Sequence, residues 1–178
     1  MVESTHPDQA ALERVVERAL ALARAGGATA AEAGVGVSTG LSVTVRLGEV
    51  ETLEYQRDRS LGVTVYAGRR KGSASTANLS PAAVEETIAK ALSIASFTAD
   101  DAYAGLPDAG LMVRELPDLD LNHPWDLEAA EAIELAKRCE AASLAHDKRI
   151  SNSEGASVST NRKLRVFGNS HGFVGGYP

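Results

Sequence analysis

LSVTVRLGEVETLEYQRDRSLGVTVYAGRRKGSAST (Leu41–Thr76) decides the fold. Within it Val43, Val45 and Leu47, and then Leu61, Val63 and Val65, recur at every second residue, the period of a strand with one buried face. The spacing predicts strands at Leu41–Leu47, Val50–Arg57, Leu61–Ala67 and Lys71–Thr76, preceded by another at Glu32–Ser38. Turn-forming residues separate them at Ser38-Thr39-Gly40, Gly48-Glu49, Arg57-Asp58-Arg59 and Gly68-Arg69-Arg70. No interval is long enough for a crossover helix, so neighbouring strands are expected to run antiparallel, as a meander.

Helical patterns lie on both sides of this block. Leu12, Val15, Val16, Ala19, Leu22 and Ala23 fall at helical spacing and predict a helix from about Pro7 to Ala25, stopped by Gly26-Gly27. After the strands, Ser80 is a good N-cap and Pro81 suits the first helical position. Val84, Ile88, Leu92 and Ala95 then form an apolar stripe. Thr98–Pro124 is rich in turn residues (Gly105, Pro107, Gly110, Pro117) and long for a connection inside one domain, so a sub-boundary is expected in the 98–124 loop. A short strand at Leu111–Glu115 would break it. Asp126 is expected to cap a third helix reaching His146, with Ile133, Ala136, Glu140 and Leu144 along one side and Leu135, Cys139 and Ala142 along another. Strand period returns at Ile150–Ser153, Ser157–Thr160 and Lys163–Gly168, before glycine-rich Gly172–Pro178. The expected class is α+β, a largely antiparallel sheet of short meandering strands flanked by about three helices.

Composition narrows the functional classes. Of 178 residues, 44% are hydrophobic and 24% charged, ordinary for a globular chain, while aromatics are only 4%. Thirty alanines predict a core of small and β-branched side chains. The formal charge of −6 argues against a nucleic-acid module, which needs basic side chains to neutralise phosphates. It is unevenly spread. Residues 101–147 carry 11 acidic and 3 basic groups (−8), and residues 148–178 carry 1 and 5 (+4). A single cysteine, Cys139, leaves no intramolecular disulfide and no multi-cysteine metal site, and reads as a small core residue. No stretch approaches the length of an apolar membrane span, and MVESTHPDQA is not a secretory signal, so a cytoplasmic protein is expected.

Gly168-Asn169-Ser170-His171-Gly172 matches the G-x-S-x-G pattern of a nucleophile elbow and follows a strand-like KLRVF. The elbow needs a helix after the serine, and FVGGYP follows instead, with no later acid or histidine. Adjacent residues of a strand also point to opposite sides, which separates Ser170 from His171. A tight glycine turn between strands is the better reading. Asp118-Leu-Asp120-Leu-Asn122 begins like a calcium loop, but His123 and Ala129 stand where that loop requires Gly and Glu. His6, His123, His146 and His171 form no pair one helical turn apart, so no H-E-x-x-H zinc site is encoded. Gly68–Ser73 lacks the order of a P-loop and reads as a charged hairpin turn.

Longer segments carry a more specific signal. Ser60–Leu92, Glu115–Glu140, Lys148–Thr160 and Val166–Pro178 closely resemble the PmbA (TldE) branch of the TldD/PmbA family. Order and spacing are preserved from about Ala10 to the last residue. Family members are longer, so the resemblance implies that 1–178 is the amino-terminal domain of a longer protein. It further implies an α+β fold and a cytoplasmic heterodimer with a TldD-like subunit. That assembly acts as a zinc metallopeptidase on peptides or unfolded protein, in peptide-antibiotic maturation and antitoxin degradation. In the family the zinc motif lies on the TldD-type partner, so no residue here inherits a catalytic or metal role. This domain is then expected to serve assembly and substrate enclosure, with the turn Asn169, Ser170, His171 and Gly172 facing substrate or partner. The other expectation kept open is a regulatory protein-binding module of the gyrase-modulator type, without proteolysis.

Overall fold

The structure, a computed structural model, describes residues 8–178; Pro7 and His6 lie outside them. It is α+β, with helices α1 (Gln9–Ala25), α2 (Pro81–Phe97) and α3 (Ala129–His146). The strands are β1 (Ala30–Arg46), β2 (Glu49–Ala67), β3 (Arg70–Thr76), β4 (Ala156–Asn169) and β5 (Val174–Tyr177), in the sheet order β3-β2-β1-β4-β5. The β2–β3 and β4–β5 pairs are antiparallel.

Contacts divide the chain into two compact units. One holds the chain up to Val37, Asp58–Leu121 and Lys163–Pro178; the other holds Ser38–Arg57 and Asn122–Arg162. The divisions at 37/38, 57/58 and 162/163 fall inside β1, β2 and β4.

In the first unit, α1 and α2 cover one sheet face. Leu12, Val16, Ala19 and Ala23 of α1 and Val84, Ile88, Ala91 and Ala95 of α2 are buried with Ala31, Ala33, Val35, Leu61, Val63, Val65 and Val166. Asp8 caps α1 through its side chain, which accepts from the Ala10 amide. Ser80 caps α2 in the same manner through the Ala83 amide, and Pro81 opens the helix as expected. Gly72 lets α2 lie against β3, since a methyl there would run into the Ala91 carbonyl and the Ala95 backbone nitrogen. Arg18 and Glu85 form an ion pair between α1 and α2.

In the second unit, Ala132 and Ala136 of α3 are buried with Leu41, Val43 and Val45 of β1. Small helix side chains facing branched strand side chains give close packing with little aromatic content.

Several expectations need correction. Glu32–Ser38 and Leu41–Leu47 are one strand, as are Val50–Arg57 and Leu61–Ala67, and Ser157–Thr160 and Lys163–Gly168. Gly40 makes no turn. It leaves room for the Thr160 carbonyl, which a methyl would approach to 2.8 Å. Arg57-Asp58-Arg59 stays extended, its polarity reflecting exposure and not chain reversal. Leu111–Glu115 is not a strand; a single 3-10 turn occupies Ala109–Leu111. Ile150–Ser153 is irregular, and glycine-rich Gly172–Pro178 supplies β5. The third helix starts later than expected. Asp126 pairs with Arg162 instead of capping, and the Glu131 carboxylate accepts the Glu128 amide at 3.2 Å. The buried stripe of α3 is Ala132, Ala136 and Glu140, and Cys139 is exposed.

Candidate functional site

The turn between β4 and β5 holds the residues singled out from the G-x-S-x-G pattern. Its backbone is closed by the Asn169 amide donating to the Phe173 carbonyl at 2.9 Å and the Gly172 amide to the Asn169 carbonyl at 3.1 Å. Gly172 takes φ +95, a conformation glycine adopts without strain. Ser170 is tied to β1 twice: its amide donates to the Ala31 carbonyl at 2.8 Å, and its hydroxyl accepts from the Ala31 amide at 3.0 Å. The His171 ring instead meets the Pro107 carbonyl through Nε2 at 3.1 Å. Hydroxyl and imidazole are therefore each engaged with backbone, on different partners.

Asn169 is 1% exposed, and its Oδ1 accepts the His171 amide at 2.9 Å. Its Nδ2 has no partner among the described residues. Beside the turn lies a recess of about 100 Å³ lined by Leu20, Arg24, Thr29, Ser170 and His171 among others. That is well below the roughly 300 Å³ at which small-molecule pockets begin. The 98–124 segment is anchored nearby, since the Tyr177 hydroxyl donates to the Pro117 carbonyl at 2.8 Å.

One group that sequence reasoning placed only as a helix-face residue does specific work in the second unit. Glu140 is 3% exposed, and its carboxylate accepts the Leu47 amide at 2.8 Å and the Gly48 amide at 2.9 Å. These are the turn residues joining β1 to β2, at φ 50 and φ 81. The Gly48 and then the Leu47 amide bonds hold the Glu140 carboxyl below its ordinary range, against the opposing effect of burial. The available signal was a glutamate one turn beyond Ala136 on an alanine stripe.

No group of three His, Cys, Asp or Glu able to hold a metal occurs among the described residues. No described helix is long and apolar enough to cross a membrane.

Known proteins match this arrangement. Residues 31–95 match the model for PmbA/TldA metallopeptidase domain 1, and residues 122–178 match that for the PmbA/TldA metallopeptidase central domain. The chain is 49% identical over 93% of its length to the protein named Metalloprotease PmbA of Escherichia coli O157:H7. It is 44% identical, again over 93%, to the Metalloprotease PmbA homolog of Haemophilus influenzae. In both cases it spans only 37% of the relative's length. A crystal structure of a candidate modulator of DNA gyrase from Bacteroides thetaiotaomicron superposes with a TM-score of 0.83 at 25% identity, covering 93% of this chain and 38% of that one. TldE from Thermococcus kodakarensis shares the fold, with a TM-score of 0.73 at 19% identity over 90% of this chain and 36% of its own. The chain belongs to the PmbA/TldD metallopeptidase family.

Proposed function

We propose that the chain is the amino-terminal part of a PmbA (TldE)-type subunit of a cytoplasmic two-subunit metallopeptidase. Zinc and hydrolysis reside on the TldD-type subunit, and this part serves assembly and enclosure of peptide or unfolded substrate. Relatives named Metalloprotease PmbA and the fold shared with a TldE protein support the subunit type. The observation that carries the non-catalytic reading is the bond between the Ser170 hydroxyl and the Ala31 amide, with the His171 ring turned to the Pro107 carbonyl. A serine nucleophile needs a base to take its hydroxyl proton, and the neighbouring imidazole meets a backbone carbonyl instead.

Enclosure calls on backbone more than on side chains. β5 stands at the end of the sheet order, with no further strand beside it among the described residues, and an extended segment added there would be read through its main chain with little sequence preference. His171 and Gly172 are exposed beside it, facing substrate or the TldD-type subunit. A photoreactive peptide added to the assembled pair tests this: label on the 169–177 region is expected, and label confined to the TldD-type subunit contradicts it.

A regulatory binding module without proteolysis is the second reading, favoured by the charge split between residues 101–147 and 148–178. A pull-down separates the two. A TldD-type subunit as dominant partner supports the first, and gyrase supports the second.

A further inference from the structure

The recess of about 100 Å³ beside the β4–β5 turn is lined by Leu20 and Arg24 of α1, Ala28 and Thr29 of the connection to β1, and Ser170 and His171. These residues all belong to the first unit. The volume equals that of roughly three liquid waters, room for one small polar group and not for a whole metabolite. Most polar groups in its wall are already used. The Thr29 hydroxyl donates to the Tyr66 carbonyl at 2.9 Å and accepts the Gly68 amide at 3.0 Å. The Ala28 amide donates to the Ala23 carbonyl at 3.0 Å. His171 Nε2 meets the Pro107 carbonyl, which can only accept, so that nitrogen carries a proton already committed to backbone.

Two donors remain. The Ser170 hydroxyl oxygen accepts the Ala31 amide at 3.0 Å, but its own proton goes to no acceptor among the described residues. A hydroxyl can donate and accept at once. The Arg24 guanidinium has neither an ion pair nor a hydrogen bond among the described residues. A cation in the last turn of a helix is favoured by the helix dipole, which accounts for the position of Arg24 and leaves its N–H donors unspent. The nearby carbonyls of Leu22, Ala23 and Arg24 already accept the amides of Gly26, Ala28 and Gly27. Among the described residues, no acidic side chain lines the recess. The wall therefore offers a positive charge and free donors, and lacks an acceptor for them.

We propose that this recess binds a carboxylate carried by a peptide, as a free C-terminus or as an aspartate or glutamate side chain, with Arg24 and Ser170 as its donors. A planar guanidinium matches the two carboxylate oxygens as a fork, and the Ser170 O–H adds a further hydrogen bond. One arginine balances the single charge of a carboxylate, whereas a phosphate dianion would bring more charge and more acceptor sites than these donors satisfy. Leu20 and Ala28 provide an apolar wall for the carbon next to the carboxylate. The small volume admits that group and leaves the rest of the peptide outside. The inference does not depend on the proposed peptidase role, because binding is read without a TldD-type subunit and without hydrolysis.

Isothermal titration calorimetry of the full-length protein near neutral pH tests the proposal. Two probes carry one carboxylate each: N-acetyl-trialanine at its C-terminus, and N-acetyl-Ala-Asp-Ala amide on its side chain. At least one is expected to bind, and the probe that binds names the source of the carboxylate. N-acetyl-trialanine amide, which has no charge, should bind about tenfold more weakly than that probe. Arg24→Gln keeps a good helix former and should weaken binding by a similar factor, with folding checked by circular dichroism. Arg14→Gln removes another exposed cation of α1 that does not line the recess, and should leave binding unchanged. Failure of both acidic probes to bind, equal binding of the uncharged peptide, or unchanged binding by Arg24→Gln would each overturn the proposal. Equal weakening by the two arginine variants would also overturn it, as the mark of an adventitious ion only.

Discussion

Leu47 occupies a backbone conformation, φ 50, that side chains with a Cβ avoid. With Gly48 it forms a two-residue hairpin turn of the kind for which Asn-Gly is the favoured sequence. Glu140 holds both amides of that turn from α3, so the strain at Leu47 is offset by two charge-assisted hydrogen bonds. Leu47 is 56% exposed and contributes little packing. Leu47→Asn is therefore expected to raise stability by about 0.5–1 kcal/mol, seen as a higher thermal midpoint. An unchanged or lower midpoint would mean that the leucine has a packing role at the turn. Glu140 also makes the second unit acid-sensitive. Its folded carboxyl titrates below the ordinary glutamate value of 4.5, so its contribution is complete above that pH. The contribution fades as pH falls through the lower folded value. Glu140→Gln should reduce stability at pH 7 and flatten the loss of stability below pH 4.5, measured by urea unfolding across pH 3–7. The sequence put Glu140 on the right helix but could not show its partners, which lie 92 and 93 residues away in the chain. For Asn169–Gly172 the turn itself was legible from its glycines. The Ser170–Ala31 bond was not, since it spans 139 residues.

At the scale of elements, the helices were more legible than the strand boundaries. Ser80-Pro81 and Gly26-Gly27 are local signals, and the structure places α2 and the end of α1 where they predict. Strand boundaries were less legible because polar and glycine-containing stretches resemble turns whether or not the chain reverses. Glycine served close approach at Gly40, and runs of charge marked an exposed strand at Arg57-Asp58-Arg59. The same logic makes Gly72 a packing residue. Gly72→Ala should cost about 1–3 kcal/mol by forcing α2 away from β3. Gly62→Ala is the control, since nothing lies within 4 Å of a methyl there, and it should stay within about 0.5 kcal/mol of the wild type. Chemical denaturation of both proteins checks the pair; equal losses would show that strand propensity, and not helix clearance, governs Gly72.

At the scale of the whole molecule, the chain carries two compact units and matches two successive domains of its family, yet spans 37% of the relatives' length. Family membership was legible in long segments such as Ser60–Leu92, where many positions agree at once. No short motif carried it, and G-x-S-x-G pointed elsewhere. On the proposed reading, hydrolysis belongs to the TldD-type subunit and enclosure to this chain. The most direct test is peptidase activity on an unfolded peptide, assayed with the full-length protein, its TldD-type counterpart, the mixture, and the mixture with a zinc chelator. Activity that needs both proteins and disappears on chelation is the predicted result. Hydrolysis by the full-length protein alone would contradict the assignment.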